Sequence, residues 1–332
     1  MSGTATLPEL PAHVHFVGIG GIGMSGLARI LHRWGYRVTG SDGSASPLMD
    51  ELAGEGITVE VGHTMLDAAS TADLVVMTAA VNERNPEVAA AIAAGRPMLK
   101  RAALLGALMN TRSGIAVAGS HGKSTTSGMI TTALLALGAD PSYAVGATVA
   151  ATGTNAAPGT GDVFVVEADE YDRSFLHLNP EVAVVTNIEY DHPDIYPDLP
   201  SYDEAFAAFL SGVRAHGTVV LSADDPGTAR VRERDDVRWP AQLVTFGTAG
   251  SADWEITLGP QPSVQTPEGD VIPLALLVPG EHNVRNAVAA MAAMRTLGYP
   301  ATAIAEARGT FRGVGRRGVV KGAVGGGTGI DD

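Results

Sequence analysis

Residues 114–124 read Gly-Ile-Ala-Val-Ala-Gly-Ser-His-Gly-Lys-Ser, and the fold is read outward from them. Ile115, Ala116, Val117 and Ala118 make a short apolar strand. A turn through Gly119, Ser120, His121 and Gly122 then delivers Lys123 and Ser124 to the start of a helix. Ile130, Leu134 and Leu137 fall on one face of that helix, so an amphipathic helix is expected. A strand, a glycine turn and a helix opening on Lys-Ser are what a nucleoside-triphosphate loop needs. Backbone amides cradle the phosphates, the lysine reaches the β and γ phosphates, and the hydroxyl can ligate Mg²⁺. Gly119, Ser120, His121, Gly122, Lys123, Ser124 and Thr125 are therefore candidate ATP-binding residues. The spacing is not the full G-x-x-x-x-G-K-[ST], because Val117 stands where the first glycine belongs. A glycine helix cap with an exposed lysine is the alternative at this point.

The same kind of unit occurs once before. Val14 to Val17 lead into Gly18-Ile19-Gly20-Gly21-Ile22-Gly23, and Met24, Leu27, Ala28 and Leu31 follow at i, i+3, i+4 and i+7. Gly35 ends that helix, Arg37 to Gly40 begin a second strand closing at Asp42, and a third strand is expected at Asp73–Thr78 before a helix from Pro86 to Ala94. Further strands are expected at Val163–Val166, Val182–Thr186, Val219–Leu221 and Leu243–Phe246. Trp254–Val278 reads as a small antiparallel extension, and a helix runs from Glu281 through Ala287 to Met294. This rhythm implies an α/β chain with parallel sheets covered on both faces. An N-terminal Rossmann-like domain (1–110) is followed by a central ATPase domain of phosphate-loop type (111–317). Residues 318–332, rich in glycine, read as a flexible tail or as a linker to a further domain.

Gly18, Gly20 and Gly23 match G-x-G-x-x-G, with Asp42 about 20 residues on. Such a loop brings backbone amides to a pyrophosphate at a helix N-terminus. On pattern alone the ligand is a dinucleotide, with Asp42 on the ribose of NAD, or the glycines serve packing only. The strand at 163–166 ends in Glu167-Ala168-Asp169-Glu170-Tyr171-Asp172. Carboxylates at the carboxyl end of a parallel strand face the ligand crevice, and Mg²⁺ takes a few of them with water and phosphate oxygens, so Glu167 is a candidate ligand. A solvated acidic loop is the alternative. His192, in Asn187-Ile188-Glu189-Tyr190-Asp191-His192-Pro193, is either a turn residue or a site residue. Asn283 is either a helix N-cap or a base-recognising amide.

The 332 residues suffice for about two domains, and 45% hydrophobic with 17% charged residues fits a globular chain. A net charge of −14 argues against nucleic-acid and anionic-membrane partners. With no cysteine there is no disulfide or thiol chemistry. Met1–Pro11 shows no signal peptide, and no apolar run spans a bilayer, so a cytoplasmic location is expected.

Five motifs together resemble the Mur ligase family in order and spacing. They are Gly18-Ile19-Gly20-Gly21-Ile22-Gly23-Met24-Ser25-Gly26, Gly119-x-His121-Gly122-Lys123-Ser124, the Glu167–Asp172 run with the segment ending at His192, Gly280-Glu281-His282-Asn283-Val284-Arg285-Asn286-Ala287, and Phe311-Arg312-Gly313-Val314-Gly315-Arg316-Arg317. Ser124 stands where that family usually has threonine, and Gly318-Val319-Val320 where it usually has a bulky aromatic. The resemblance implies ATP-dependent ligation of L-alanine to UDP-N-acetylmuramate through an acyl phosphate, with ATP and Mg²⁺ required. It implies that Gly18, Gly20, Gly21, Ile22, Gly23, Met24, Ser25 and Asp42 bind the UDP-sugar. Lys123, Glu167 and His192 become catalytic, and Ser124, Glu167 and His192 hold metal, supported by Asn187 and Asp191. His282 and Asn283 lie at the adenine. A monomer or weak dimer is expected, and 332 residues that bind without turning over. An NAD-dependent oxidoreductase and the family's tripeptide-recycling enzyme are the alternatives.

Overall fold

The computed structural model describes residues 5–248, 250–315, 319–324 and 327–331. Arg316, Arg317 and Gly318 of the last motif lie outside the described residues. The N-terminal part runs β1 (His13–Val17), α1 (Ile22–Arg33), β2 (Arg37–Asp42), α2 (Pro47–Gly54), β3 (Thr58–Val61), α3 (Leu66–Thr71), β4 (Leu74–Met77), α4 (Pro86–Ala93), β5 (Met98–Lys100) and α5 (Arg101–Met109). Its five parallel strands lie in the order β3-β2-β1-β4-β5. Val14 and Phe16 of β1 pack with Leu27 and Leu31 of α1, whereas Val17 packs on the opposite face with Val88 and Ala91 of α4. The expected third strand is the fourth. The α2–β3 pair escaped notice because β3 is a largely exposed edge carrying Glu60, with no apolar run to signal it.

The central part continues with β6 (Ser113–Ala118), α6 (Lys123–Ala136), β7 (Ser142–Val149), β8 (Thr154–Ala157), β9 (Val163–Glu167) and a 3-10 segment (Tyr171–His177). It then runs β10 (Val182–Val185), α7 (Leu199–Ser211), β11 (Thr218–Ser222), α8 (Pro226–Arg232), β12 (Gln242–Gly247), β13 (Trp254–Thr257), β14 (Ser263–Gln265), β15 (Val271–Pro273), α9 (Glu281–Thr296) and α10 (Ala301–Arg308). The ten-stranded sheet has the order β15-β14-β13-β12-β11-β10-β6-β9-β7-β8. Strands from β13 through β7 are parallel; β14, β15 and β8 are antiparallel additions. The connection from β6 runs to the β9–β7 side of the sheet, and that from its neighbour β10 runs the other way to β11. That arrangement opens a crevice at the carboxyl ends of β6, β9 and β10. The backbones of β16 (Val319–Val324) and β17 (Gly327–Asp331) pair as an antiparallel ladder.

One expectation fails at α6. It is buried nearly all round, from Ser124 through Leu134, and is not amphipathic. The sheet covers one side, while α9 and α10 pack against the others. The segment after α10 closes in as well, over a small residue: a Cβ on Gly128 would lie 2.4 Å from Val314 Cγ1.

The two sheets are joined tightly. One apolar cluster runs from Phe16 and Leu27 through Leu104 and Leu108 to Phe164, Phe175 and Phe206. A Cβ on Gly106 of α5 would lie 2.2 Å from the His177 carbonyl oxygen, and one on Gly26 of α1 would lie 2.6 Å from Ala156 Cβ in β8. Between the sheets, Arg214 donates to the carbonyls of Asn110 (2.9 Å) and Arg112 (3.0 Å), and Arg112 stacks over Trp34. Among the described residues no helix is long and apolar enough to cross a membrane.

Candidate active site

The loop after β6 is built by positive backbone angles and by β10. Gly119 has φ +133 and Gly122 φ +83, conformations that L side chains rarely adopt. Side chains have no room there either: a Cβ on Gly119 would meet Thr186 Oγ1 at 2.2 Å, and one on Gly122 would meet Asn286 Oδ1 at 2.6 Å. The segment following β10 clamps the loop. Asn187 Oδ1 accepts from His121 N at 2.9 Å, Asn187 Nδ2 and Thr186 Oγ1 donate to His121 O, and Ser120 Oγ donates to Glu189 O at 2.6 Å. Asn187 thus braces the loop directly. His121 points outward to an exposed pair with Glu189.

Lys123 curls back over its own loop. Its ammonium donates to Gly119 O at 2.6 Å and to Glu170 Oε1 at 2.9 Å, and lies 2.9 Å from Glu170 Oε2. Glu170 is fully buried, and His192 Nε2 sits 3.6 Å from its Oε1. The backbone at His192 is left-handed, and its ring meets Tyr171 edge-on. Glu170 therefore sits between the lysine and the histidine. In the sequence Glu170 lies inside the acidic run with nothing to separate it from Glu167.

Glu167 occupies a different wall. Its Oε2 accepts from Gly146 N of β7 at 2.7 Å, and it hydrogen-bonds Ser124. Burial pushes its carboxyl above the usual range, against the pull of Gly146, Ser124 and Lys123. Gly146 leaves the space Glu167 occupies, since a Cβ there would lie 2.5 Å from Glu167 Oε1. The expected trio of metal residues is thus divided: Ser124 joins Glu167, whereas His192 and Asp191 stand with Glu170. Among the described residues no three His, Asp or Glu side chains converge into a metal cage. This fits Mg²⁺, which keeps waters and phosphate oxygens and takes only one or two protein groups. Ser124 and Glu167 offer hard oxygen donors of that kind.

The start of α9 lies beside the same loop, because Asn286 abuts Gly122. Gly280 is the N-cap, so Asn283 is not; it sits in the first turn and donates to Pro279 O at 2.7 Å. His282 is exposed next to it.

The loop after β1 has another construction. Gly18 (φ +91) presses on Thr78, and Gly20 N donates to Asp42 Oδ2 at 2.9 Å. Asp42 also accepts from Ser44 N, so it braces this loop with one oxygen. Gly21 and Ile22 are exposed at the tip, and Met24 and Ser25 are buried in α1. Arg101 lies over Gly23, its Cδ 3.2 Å from where a Cβ would be. Sequence spacing could not show that contact across 78 positions. Gly21, Ile22, Gly23, Met24, Arg101, Asn155, Glu167 and Asp169 all line one cavity of about 350 Å³ between the two sheets.

Two family models match the chain: the "Mur ligase family, catalytic domain" over residues 13–113 and the "Mur ligase middle domain" over 117–294. The UDP-N-acetylmuramate–L-alanine ligase of Thermobifida fusca is 45% identical, matching 94% of this chain and 67% of that protein. Its counterpart from Streptomyces griseus is 42% identical, over 96% and 70%. Among solved structures, the UDP-N-acetylmuramate-alanine ligase of Thermotoga maritima superposes with TM-score 0.76 at 30% identity, covering 95% of this chain and 72% of that one. The UDP-N-acetylmuramate:L-alanyl-gamma-D-glutamyl-meso-diaminopimelate ligase of Neisseria meningitides superposes with TM-score 0.80 at 28% identity, covering 92% and 100%.

Proposed function

The chain belongs to the Mur ligase family, and from that premise we propose that it serves the ATP-dependent ligation of L-alanine to UDP-N-acetylmuramate in cytoplasmic peptidoglycan precursor synthesis. The observation that carries this reading is the cavity shared by the Gly21–Met24 loop, Arg101, Glu167 and Asp169. A substrate with a diphosphate at one end and a carboxylate at the other can lie with the first at this loop and the second beside Glu167, the neighbour of Ser124. Residues 1–110 hold the UDP-sugar: the amides of Gly21, Ile22 and Gly23 meet the diphosphate, Arg101 adds charge, and Gly18 and Gly20, whose amides donate to Ser41 O and to Asp42, shape the loop with that carboxylate. Met24 and Ser25 anchor the helix behind it. Residues 111–317 hold ATP, with Gly119–Thr125 at the phosphates and His282 and Asn283 towards the adenine.

In the first stage a carboxylate oxygen of the sugar's lactyl group attacks the γ-phosphorus. The new P–O bond forms as the bond to ADP breaks, and ADP leaves with the electron pair. In the second stage the amine of L-alanine attacks the acyl carbon and phosphate leaves; the amine's surplus proton passes to solvent. Such transfers depend on alignment and charge neutralisation. Lys123, held in place by Glu170 and the Gly119 carbonyl, supplies positive charge where the γ-phosphate lies. Mg²⁺ held by Ser124 and Glu167, and a second ion near His192, would neutralise further phosphate charge. A nicotinamide oxidoreductase leaves Lys123, Glu170 and His192 without work, and the sequence relatives at 42–45% identity favour alanine over a tripeptide as the second substrate.

For the 332 residues alone, which match about two thirds of the length of those relatives, we propose substrate binding by a monomer or weak dimer without turnover. Calorimetric titration tests the reading: UDP-N-acetylmuramate and Mg·ATP bind simultaneously and NADH does not. Tight NADH binding, or no response to UDP-N-acetylmuramate, overturns it. Phosphate release above background with all three substrates overturns the part about turnover.

A further inference from the structure

Two tyrosines, absent from the site as built so far, lie buried behind Lys123. The chain leaves β9 through Glu170 and leaves β10 through His192, and these side chains meet at 3.6 Å. Because β6 lies between the two strands, no ladder bond joins one exit to the other. Some other contact must set their spacing.

Tyr196 supplies it. The residue is fully buried, and each of its polar groups is used in this region. Its backbone N donates to His192 O at 2.9 Å, closing the turn in which His192 has left-handed backbone. Its hydroxyl donates to Glu170 O at 2.6 Å; the direction is fixed, because a carbonyl only accepts. Its own carbonyl accepts from the Tyr190 hydroxyl at 2.6 Å, and the Arg173 guanidinium lies over its ring, 5.4 Å from the centroid. Tyr202 meets the same ring edge-on at 4.9 Å but has a different use. Its hydroxyl lies 3.1 Å from Ser120 Oγ in the phosphate loop. Ser120 gives its one proton to Glu189 O, so Tyr202 is the donor.

We infer that Tyr196 is a positioning residue, tying Glu170 to the His192 turn so that the groups around Lys123 keep one geometry towards the γ-phosphate. Tyr202 instead steadies the loop that meets every phosphate. This rests on the ATP reading given above. A tyrosine that only filled space would serve equally well as phenylalanine, and that is the rival account. Arg173 N also donates to Glu170 O, at 3.0 Å, so removing the Tyr196 hydroxyl orphans no carbonyl and takes away the tether alone. ADP shares the loop contacts of ATP but lacks the γ-phosphate. The ratio of the two affinities therefore reports the Lys123, Glu170 and His192 group, whereas a general loosening of the fold lowers both together.

The probes are Mg·ATP and Mg·ADP, titrated separately into the full chain. Tyr196→Phe should lower the ATP-to-ADP affinity ratio about tenfold by weakening ATP, with ADP affinity held within about twofold. Tyr202→Phe should weaken both nucleotides by a common factor and leave the ratio where it was. Tyr190→Phe, at a side chain 42% exposed, frees Tyr196 from the outer side and should shift the ratio the same way by about threefold. That variant decides the matter if Tyr196→Phe does not fold. An unchanged ratio in the folded Tyr196→Phe protein, or equal losses for both nucleotides, overturns the inference. So does an unchanged ratio in Tyr190→Phe where it is the variant that folds. Failure of the unaltered chain to bind either nucleotide overturns the ATP reading as well.

Discussion

The loops at residues 18–23 and 119–124 share one local plan, a buried strand turning through glycines into a helix, yet they are finished differently. The first is braced by a carboxylate: Asp42 takes the Gly20 amide, and the cation lying over Gly23, Arg101, comes from a helix distant in sequence. The second carries its own cation, and Glu170 and the Gly119 carbonyl hold it in place. A loop of the first kind suits binding, because its amides meet a diphosphate that does not change. One of the second kind suits transfer, because a fixed ammonium can follow charge as it moves to a departing group. On the proposed reading the chain separates holding from reacting, and it does so with the same backbone device.

The largest effect should come from the second loop. Lys123→Ala is expected to weaken Mg·ATP binding on the order of a hundredfold, since it leaves phosphate charge and Glu170 uncompensated. UDP-N-acetylmuramate affinity should stay within about twofold by the same argument. Parallel losses for both ligands would erase the distinction between the loops.

Asp42→Ala should do the reverse, raising the dissociation constant for the UDP-sugar about tenfold by releasing Gly20, with ATP unaffected. A matched glycine pair sharpens the point. Gly122→Ala combines φ +83 with a contact to Asn286, whereas the nearest atom to a Cβ on Gly21 is 3.8 Å away. The first substitution should cost ATP affinity several-fold, about 1 kcal/mol or more of strain. The second should leave ATP affinity and melting temperature unchanged. Calorimetry on the two variants decides it.

The smallest effect on function concerns pH, and it lies in the first sheet only. Burial, with Arg37 second, lowers His13 from 6.5 to about 4. The folded chain then binds fewer protons than the unfolded one between those values. The contribution is complete above about pH 6.5 and disappears as pH falls towards 4, amounting to roughly 3 kcal/mol. Urea midpoints should therefore fall over that interval, and His13→Phe should flatten the fall. A flat profile in the unaltered chain would show His13 to be freely protonated.

Much of this was legible beforehand because buried parallel strands are written as continuous apolar runs. Val14–Val17 and Ile115–Ala118 announce themselves, and the glycines that follow mark where backbone meets ligand. The edge strand β3 was hidden by its exposure, and β7 by its Ala, Gly and Thr content. At α6 the spacing of Ile130 and Leu134 reported the sheet contact correctly, but it could not tell that Ser, Thr and Gly on the other faces were also covered. Glu167 and Glu170 are three residues apart and chemically alike. Only the course of the chain after β9 sends one to Ser124 and the other to Lys123. Arg101 needed tertiary structure, since it reaches a loop belonging to another part of the sequence.

The close seating of Gly106 against the His177 carbonyl has a consequence for selectivity. With no room for α5 to slide, the distance from one loop to the other is a property of the scaffold. On the proposed reading it works as a calliper set to one length of ligand. A UDP-sugar whose acid arm is one methylene longer would still dock by its diphosphate, yet bring its carboxylate to the wrong depth. Such a compound should occupy the protein and block it.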